Sequence, residues 1–176
     1  NWSLPRAQQH IHCRQNLFDG TWEKAPSMGW MMTPLVEYQG GGPEATIEPL
    51  KDHLPDYEQH LANNLGYGAQ SCYRGPRIYD APETRDMVIK WITWFKKFRD
   101  ILESDVIHLR RPDGRNLDGI IHVNPTLKHR AMAVIYNPTH GQLEEELTLP
   151  LYYAGLKKSC RISVNGGKPG KITLDP

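Results

Sequence analysis

The apolar period of this chain changes once, near Ser104, and that change constrains the fold more than any single motif. Upstream, stretches with apolar residues on one helical face alternate with short apolar runs. Downstream, Val106–Leu109, Gly119–Val123, Ala131–Tyr136, Glu144–Leu149 and Arg161–Val164 read as short strands. Pro112-Asp113-Gly114, Asn124-Pro125-Thr126, Asn137-Pro138-Thr139 and Asn165-Gly166-Gly167 separate them with the chemistry that tight turns need. Helices alternating with strands predict parallel βα units, and a run of strands alone predicts an antiparallel meander or sandwich. The expected class is therefore α/β then all-β. Residues 1–104 form the first part and residues 105–176 the second.

Within the first part, Ser3 caps a predicted helix that runs to about Phe18, where Asp19-Gly20 ends it. An apolar strand is expected between Met28 and Tyr38, with Pro34 blurring its limits. Leu54, Tyr57, Leu61 and Leu65 share one face of a second helix, which stops at Gly66-Tyr67-Gly68. A short strand follows, Ala69 to Tyr73. The third helix begins at Asp80, read as its N-cap, with Pro82 in the first turn and Glu83 closing a capping box. Its stripe of Val88, Trp91, Phe95, Phe98 and Leu102 is expected to pack in the core. The last residues, Lys171 to Pro176, read as the start of a further strand.

Length adds an exclusion. A (β/α)8 barrel takes roughly 250 residues, with about 200 near the lower limit. A chain of 176 residues cannot be a complete one. Its 39% hydrophobic and 23% charged content is that of a globular domain. Apolar runs fall far short of the ~20 residues of a membrane span. No secretory pattern opens the chain, which starts Asn1-Trp2-Ser3 rather than with Met. A net charge of +1 and a pI near 7.9 give no reason to expect nucleic acid or an anionic membrane as partner. Cys13, Cys72 and Cys160 lack metal or disulfide-framework spacing and are expected as buried free thiols, with one disulfide as the alternative.

Two loops follow the predicted parallel strands, and barrel enzymes place their chemistry at such strand ends. The first holds Glu37, Tyr38, Gln39 and a glycine run. A carboxylate beside an aromatic suits sugar recognition or acid–base work; the alternative is a salt bridge and local packing. The second holds Tyr73, Arg74, Gly75, Pro76, Arg77 and Tyr79. Its arginines suit a carboxylate, a sulfate or a sugar hydroxyl, and equally an ion pair to a neighbouring acid. His10 and His12 sit two apart, which on a helix directs them to different sides and argues against a metal. His53 and His60 could share a helix face but lack a third ligand. His108 and His122 are expected on the sheet surface. Asp19 and Glu23, at a helix exit, are expected to be structural. No dinucleotide, Walker or nucleophile-elbow motif is present, so no cofactor and no metal is expected.

Six stretches carry a family resemblance: Asn1–Arg6, Phe18–Glu23, Pro34–Gly42, Cys72–Arg77, His108–Arg115 and Ile121–Pro125. Together they resemble the C-terminal part of bacterial α-galactosidase-like glycoside hydrolases, which pair a (β/α)8 barrel with a C-terminal β-sandwich. The resemblance implies that Asn1-Trp2-Ser3 leaves the sixth barrel strand, that residues near Met28 to Tyr38 form the seventh, and that Ala69 to Tyr73 form the eighth. It implies a catalytic pair upstream of Asn1, on the fourth and sixth strands. What falls on this chain is a substrate-contacting rim: Asn1, Trp2, Glu37, Tyr38, Gln39, Arg74 and Arg77. The implied partners are a carbohydrate substrate and the remainder of the barrel, in an extracellular or periplasmic setting. A carbohydrate-binding module, or a non-catalytic fragment that assembles with another chain, is the alternative.

Overall fold

The computed structural model describes residues 5–22, 32–34 and 45–174. Its helices and sheets are mixed. Strand β1 (Met32–Pro34) and strand β2 (Cys72–Arg74) pair in parallel, with Met32 opposite Cys72 and Pro34 opposite Arg74. Parallel neighbours require a crossover, and the crossover here carries the helix Leu54–Gly66. That helix is α2, since α1 spans Arg6–Trp22 and packs beside it. The predicted cap Ser3 and most of the strand expected over 28–38 lie outside the described residues.

Helix α1 does not stop at Asp19-Gly20 as the sequence predicts. Its last turn is held by tertiary partners that outweigh the weak helix propensity of glycine. Arg111 grips the Asp19 carboxylate through Nε at 3.0 Å and Nη2 at 2.8 Å. The Thr21 hydroxyl meets both the Phe18 carbonyl and His108 Nε2. Helix α2 matches its predicted span, and Tyr57, Leu61 and Leu65 are buried in the main core with Leu54 packed against them. It terminates where Gly68 takes φ +72, a conformation that favours glycine, and where a β-carbon would collide with the Leu102 carbonyl oxygen.

Helix α3 spans Pro82–Leu102. Its N-cap is Ala81, not Asp80, and Thr84 rather than Glu83 reaches back to the cap. The Thr84 hydroxyl accepts from the Ala81 amide at 3.0 Å and the Asp80 amide at 3.1 Å. The Asp80 carboxylate accepts from the Thr84 hydroxyl at 3.1 Å and from the Lys51 amide at 3.3 Å. Along the predicted stripe Val88, Phe95 and Leu102 are buried, and Trp91 and Phe98 pack against them. Trp91 keeps its indole N–H satisfied on Glu58 Oε1 at 3.0 Å.

After α3 come β3 (Asp105–Arg110), β4 (Asp118–Val123) and β5 (Ala131–Tyr136), an antiparallel meander with β4 in the centre. Side chains alternate across it as strand geometry requires. Val106, Ile120, Val134 and Tyr136 face the helices; Ile107, Leu109, Ile121 and Val123 face a smaller cluster with Leu149, Leu151, Ala154 and Leu156. Both faces are covered, so every residue of β4 is buried. This overturns the expectation that His108 and His122 lie on the sheet surface: His122 is fully buried, and His108 is partly buried against Phe18. The strand expected over Glu144–Leu149 does not form. Glu145 instead accepts from the Leu117 amide and pairs with Arg110, and Leu149 caps the second cluster. A separate antiparallel pair, β6 (Ser159–Ile162) and β7 (Gly170–Thr173), completes the described structure.

Candidate functional site

Because β1 and β2 are parallel and Pro34 lies opposite Arg74, both strands end at one edge of their sheet. Five predicted rim residues, Asn1, Trp2, Glu37, Tyr38 and Gln39, lie outside the described residues. Arg74 closes β2 at that edge. Arg77 follows in the exposed loop to α3, and its guanidinium grips Glu48 through Nε at 3.2 Å and Nη2 at 2.8 Å. Glu48 raises the Arg77 pKa through that hydrogen bond. The ion-pair alternative for this arginine is thus realised, although its Nη1 takes no part in the grip.

The loop is fixed from below by Tyr57, whose hydroxyl donates to the Ile78 carbonyl at 2.8 Å. Next to it lies a shallow depression of about 550 Å³, lined by Arg77, Tyr79, Asp80, Ala81, Pro82 and Arg85. A neighbouring groove of about 340 Å³ runs from Ile78 and Tyr79 along Val88, Ile89 and Ile92 of α3. Burial raises the Asp80 pKa, but hydrogen bonds from the Lys51 amide and the Thr84 hydroxyl outweigh it and leave the group low. The depression therefore offers an ionised carboxylate, two guanidiniums and a half-exposed phenol. Those groups can stack on and hydrogen-bond a polar ligand. None of them is a carboxyl raised toward neutral pH, which a general acid needs. Glu48 and Arg85 were not singled out by the sequence; only their spatial approach to the Arg74–Asp80 loop marks them.

Two polar networks are buried outside this edge. In the first, Arg14 on α1 binds Asp118 on β4 through Nε at 2.8 Å and Nη2 at 2.9 Å, with side-chain exposures of 2% and 0%. Tyr136 lies under the guanidinium, 5.0 Å from ring centroid to Cζ, and Tyr67 stacks on Tyr136. Burial pushes Cys13 in this cluster up to about 12, which leaves an inert thiol rather than a nucleophile. All three cysteines are free; Cys13 is buried as expected, whereas Cys72 is exposed.

In the second network His10 Nε2 meets Asp56 Oδ1 at 3.0 Å, and the His10 ring lies 4.7 Å from that of His60. His12 points away to Gln15 on the exposed side of α1, as helical geometry predicts. Burial drives His60 down to about 3, with His10 reinforcing the shift. His122 falls to about 4 from burial, against a hydrogen bond to the Gly66 carbonyl. His60 and His122 are therefore neutral packing elements at neutral pH. Among the described residues no group of three or more His, Cys, Asp or Glu side chains could hold a metal ion. No helix among them is long and apolar enough to cross a membrane.

No protein-family model, no curated protein and no solved structure matches this chain.

Proposed function

We propose that the chain is the C-terminal portion of a glycoside hydrolase of the α-galactosidase type, contributing part of a substrate rim and part of an accessory β-sandwich. The observation that carries this reading is the parallel β1–β2 pair, joined through α2 and followed by α3 and an antiparallel meander. That order is what the end of a βα barrel followed by a β domain would have. The Arg74–Asp80 loop leaves the C-terminal end of β2, the side on which barrels bind substrate. In this role Arg77, Tyr79 and Asp80 orient an oligosaccharide, with Arg74, Glu37, Tyr38 and Gln39 as further rim candidates. Asn1 and Trp2 belong to the same rim in the register that the family resemblance implies. Protonation of the leaving oxygen and attack on the anomeric carbon fall to carboxylates upstream of Asn1. The order of the strands supports the second unit as the beginning of a sandwich.

A second reading, a non-catalytic carbohydrate-binding module, draws on Tyr152 and Tyr153, which are 76% and 56% exposed. Hydrogen exchange of the native polypeptide with and without a panel of uncharged oligosaccharides separates the two. Protection confined to the Cys72–Asp80 segment is expected, and Arg77→Ala should weaken binding about tenfold or more, the worth of a lost charge-assisted hydrogen bond. Protection confined to Leu151–Gly155 would favour the module. Protection in neither segment would overturn both.

A further inference from the structure

Between Glu146 and Asp175 the chain contains no acidic residue, yet it carries Lys157, Lys158, Arg161, Lys168 and Lys171. Since the whole chain has a net charge of only +1, this is a local concentration of positive charge. All of these cations are exposed. Elsewhere Arg77, Arg110, Arg111 and Lys90 are paired with Glu48, Glu145, Asp19 and Glu58. Among the described residues no ion pair engages the cations of the hairpin.

The register of β6 and β7 places Arg161 directly opposite Lys171, beside Ser159 opposite Thr173. Directly opposed side chains on one sheet face stand about 5 Å apart, and like charges there are destabilising. A two-stranded hairpin is marginal by itself. The repulsion thus sits where the fold can least absorb it, and it is relieved when an anion bridges the two heads. Two hydroxyls flank that position. Strand alternation puts Cys160, Ile162 and Ile172 on the opposite face, so the cationic face is not interrupted by apolar side chains.

The turn leading into the hairpin presents aromatic rings. Leu151–Ala154 form a 3₁₀ turn closed by Gly155 at φ +69. Leu151 and Ala154 anchor it in the cluster beneath the meander. Tyr152 and Tyr153 project outward, ring centroids 5.7 Å apart.

We infer that the Tyr152-Tyr153 turn and the cationic face of the β6–β7 hairpin form a binding surface for an acidic polysaccharide, one bearing carboxylate or sulfate groups. The class rests on the glycoside hydrolase reading. It is also favoured over nucleic acid because a pI near 7.9 lacks the strong overall basicity of nucleic-acid domains, whose pI exceeds about 9. Sugar faces stack on the tyrosines, and the acidic groups bridge Arg161 and Lys171.

Affinity electrophoresis of the native polypeptide, at low and high salt, in gels holding polygalacturonate, the neutral glucan dextran or no polymer tests this, with single-stranded DNA as competitor. Retardation by polygalacturonate is expected, weakened by salt and absent with dextran. Arg161→Ala and Lys171→Ala should each weaken it about tenfold, the loss of one charge-assisted contact. The same variants should keep or raise the thermal midpoint, because each removes a like-charge pair; a merely structural role would lower it. Equal retardation by the neutral polymer, tighter binding of DNA than of polygalacturonate, or unchanged affinity in both variants would overturn the inference. Aryl-glycoside turnover in the same samples reports on the hydrolase reading separately, since a small aglycone substrate has no acidic polymer to place on the hairpin.

Discussion

Replacing Arg14 by methionine is expected to lower folding stability by about 3–5 kcal/mol, the cost of leaving one member of a buried ion pair unpartnered. Asp118 is completely buried on the central strand, and both its oxygens accept from the Arg14 guanidinium. Burial pushes the Asp118 carboxyl upward, and Arg14 is the group that opposes it. Without Arg14 the carboxyl must take up a proton or remain an uncompensated charge among Tyr67, Tyr136 and Ile120. The double variant Arg14→Met with Asp118→Leu should recover most of the loss, because two desolvation penalties disappear together. Urea unfolding of the three variants provides the numbers. A single-variant cost below about 1 kcal/mol, the range of exposed pairs, would contradict the role assigned to this pair.

Acid is expected to destabilise the chain well above the range in which carboxylates titrate. His60 and His122 are held at about 3 and about 4 in the folded chain, against 6.5 for an ordinary histidine. Well above pH 6.5 each is neutral in both states and contributes no slope. Below it the unfolded chain binds protons that the folded chain refuses, so stability falls with pH until the folded values are reached. Each group adds about 1.4 kcal/mol per pH unit once its unfolded form is protonated. Asp56 adds a later loss. His10 holds its carboxyl low by a hydrogen bond, so its stabilisation is present above 3.8 and disappears as pH falls through its lowered folded value. Unfolding midpoints measured from pH 7 to pH 4.5 should drop continuously, and His60→Asn should remove one proton's worth of the slope. A flat profile over that interval would contradict the neutral, buried state of both histidines.

Local signals were legible wherever apolar period and turn chemistry coincide. The stripe from Val88 to Leu102, the face from Leu54 to Leu65 and the Ala131–Tyr136 strand are all where the sequence puts them. Caps were less legible. Asp80, Glu83 and Thr84 all suit an N-terminus, and only the backbone path decides that Thr84 makes the reciprocal bond. Helix α1 outruns Gly20 because Arg111, far along the chain, holds its final turn. Long-range polar pairs were not legible at all. Arg14 and Asp118 are separated by 104 positions, and neither lies in a motif. His122 departs from the surface position its sequence predicts because a period-two strand normally leaves one face to solvent, whereas β4 is covered on both. Of the candidate rim, the shared edge of β1 and β2 was foreseeable from the βα alternation. The grip of Glu48 on Arg77 depends on a loop whose course no local pattern specifies.

The hydrolase reading meets its most direct test in a turnover assay with a panel of aryl glycosides, run in parallel on the 176-residue chain and on the native polypeptide isolated from its source. On that reading the carboxylates that break the bond would lie upstream of Asn1, so the chain alone should release no phenol above background while the native polypeptide hydrolyses at least one substrate. Robust turnover by the chain alone, or none by the native polypeptide across the panel, would contradict it.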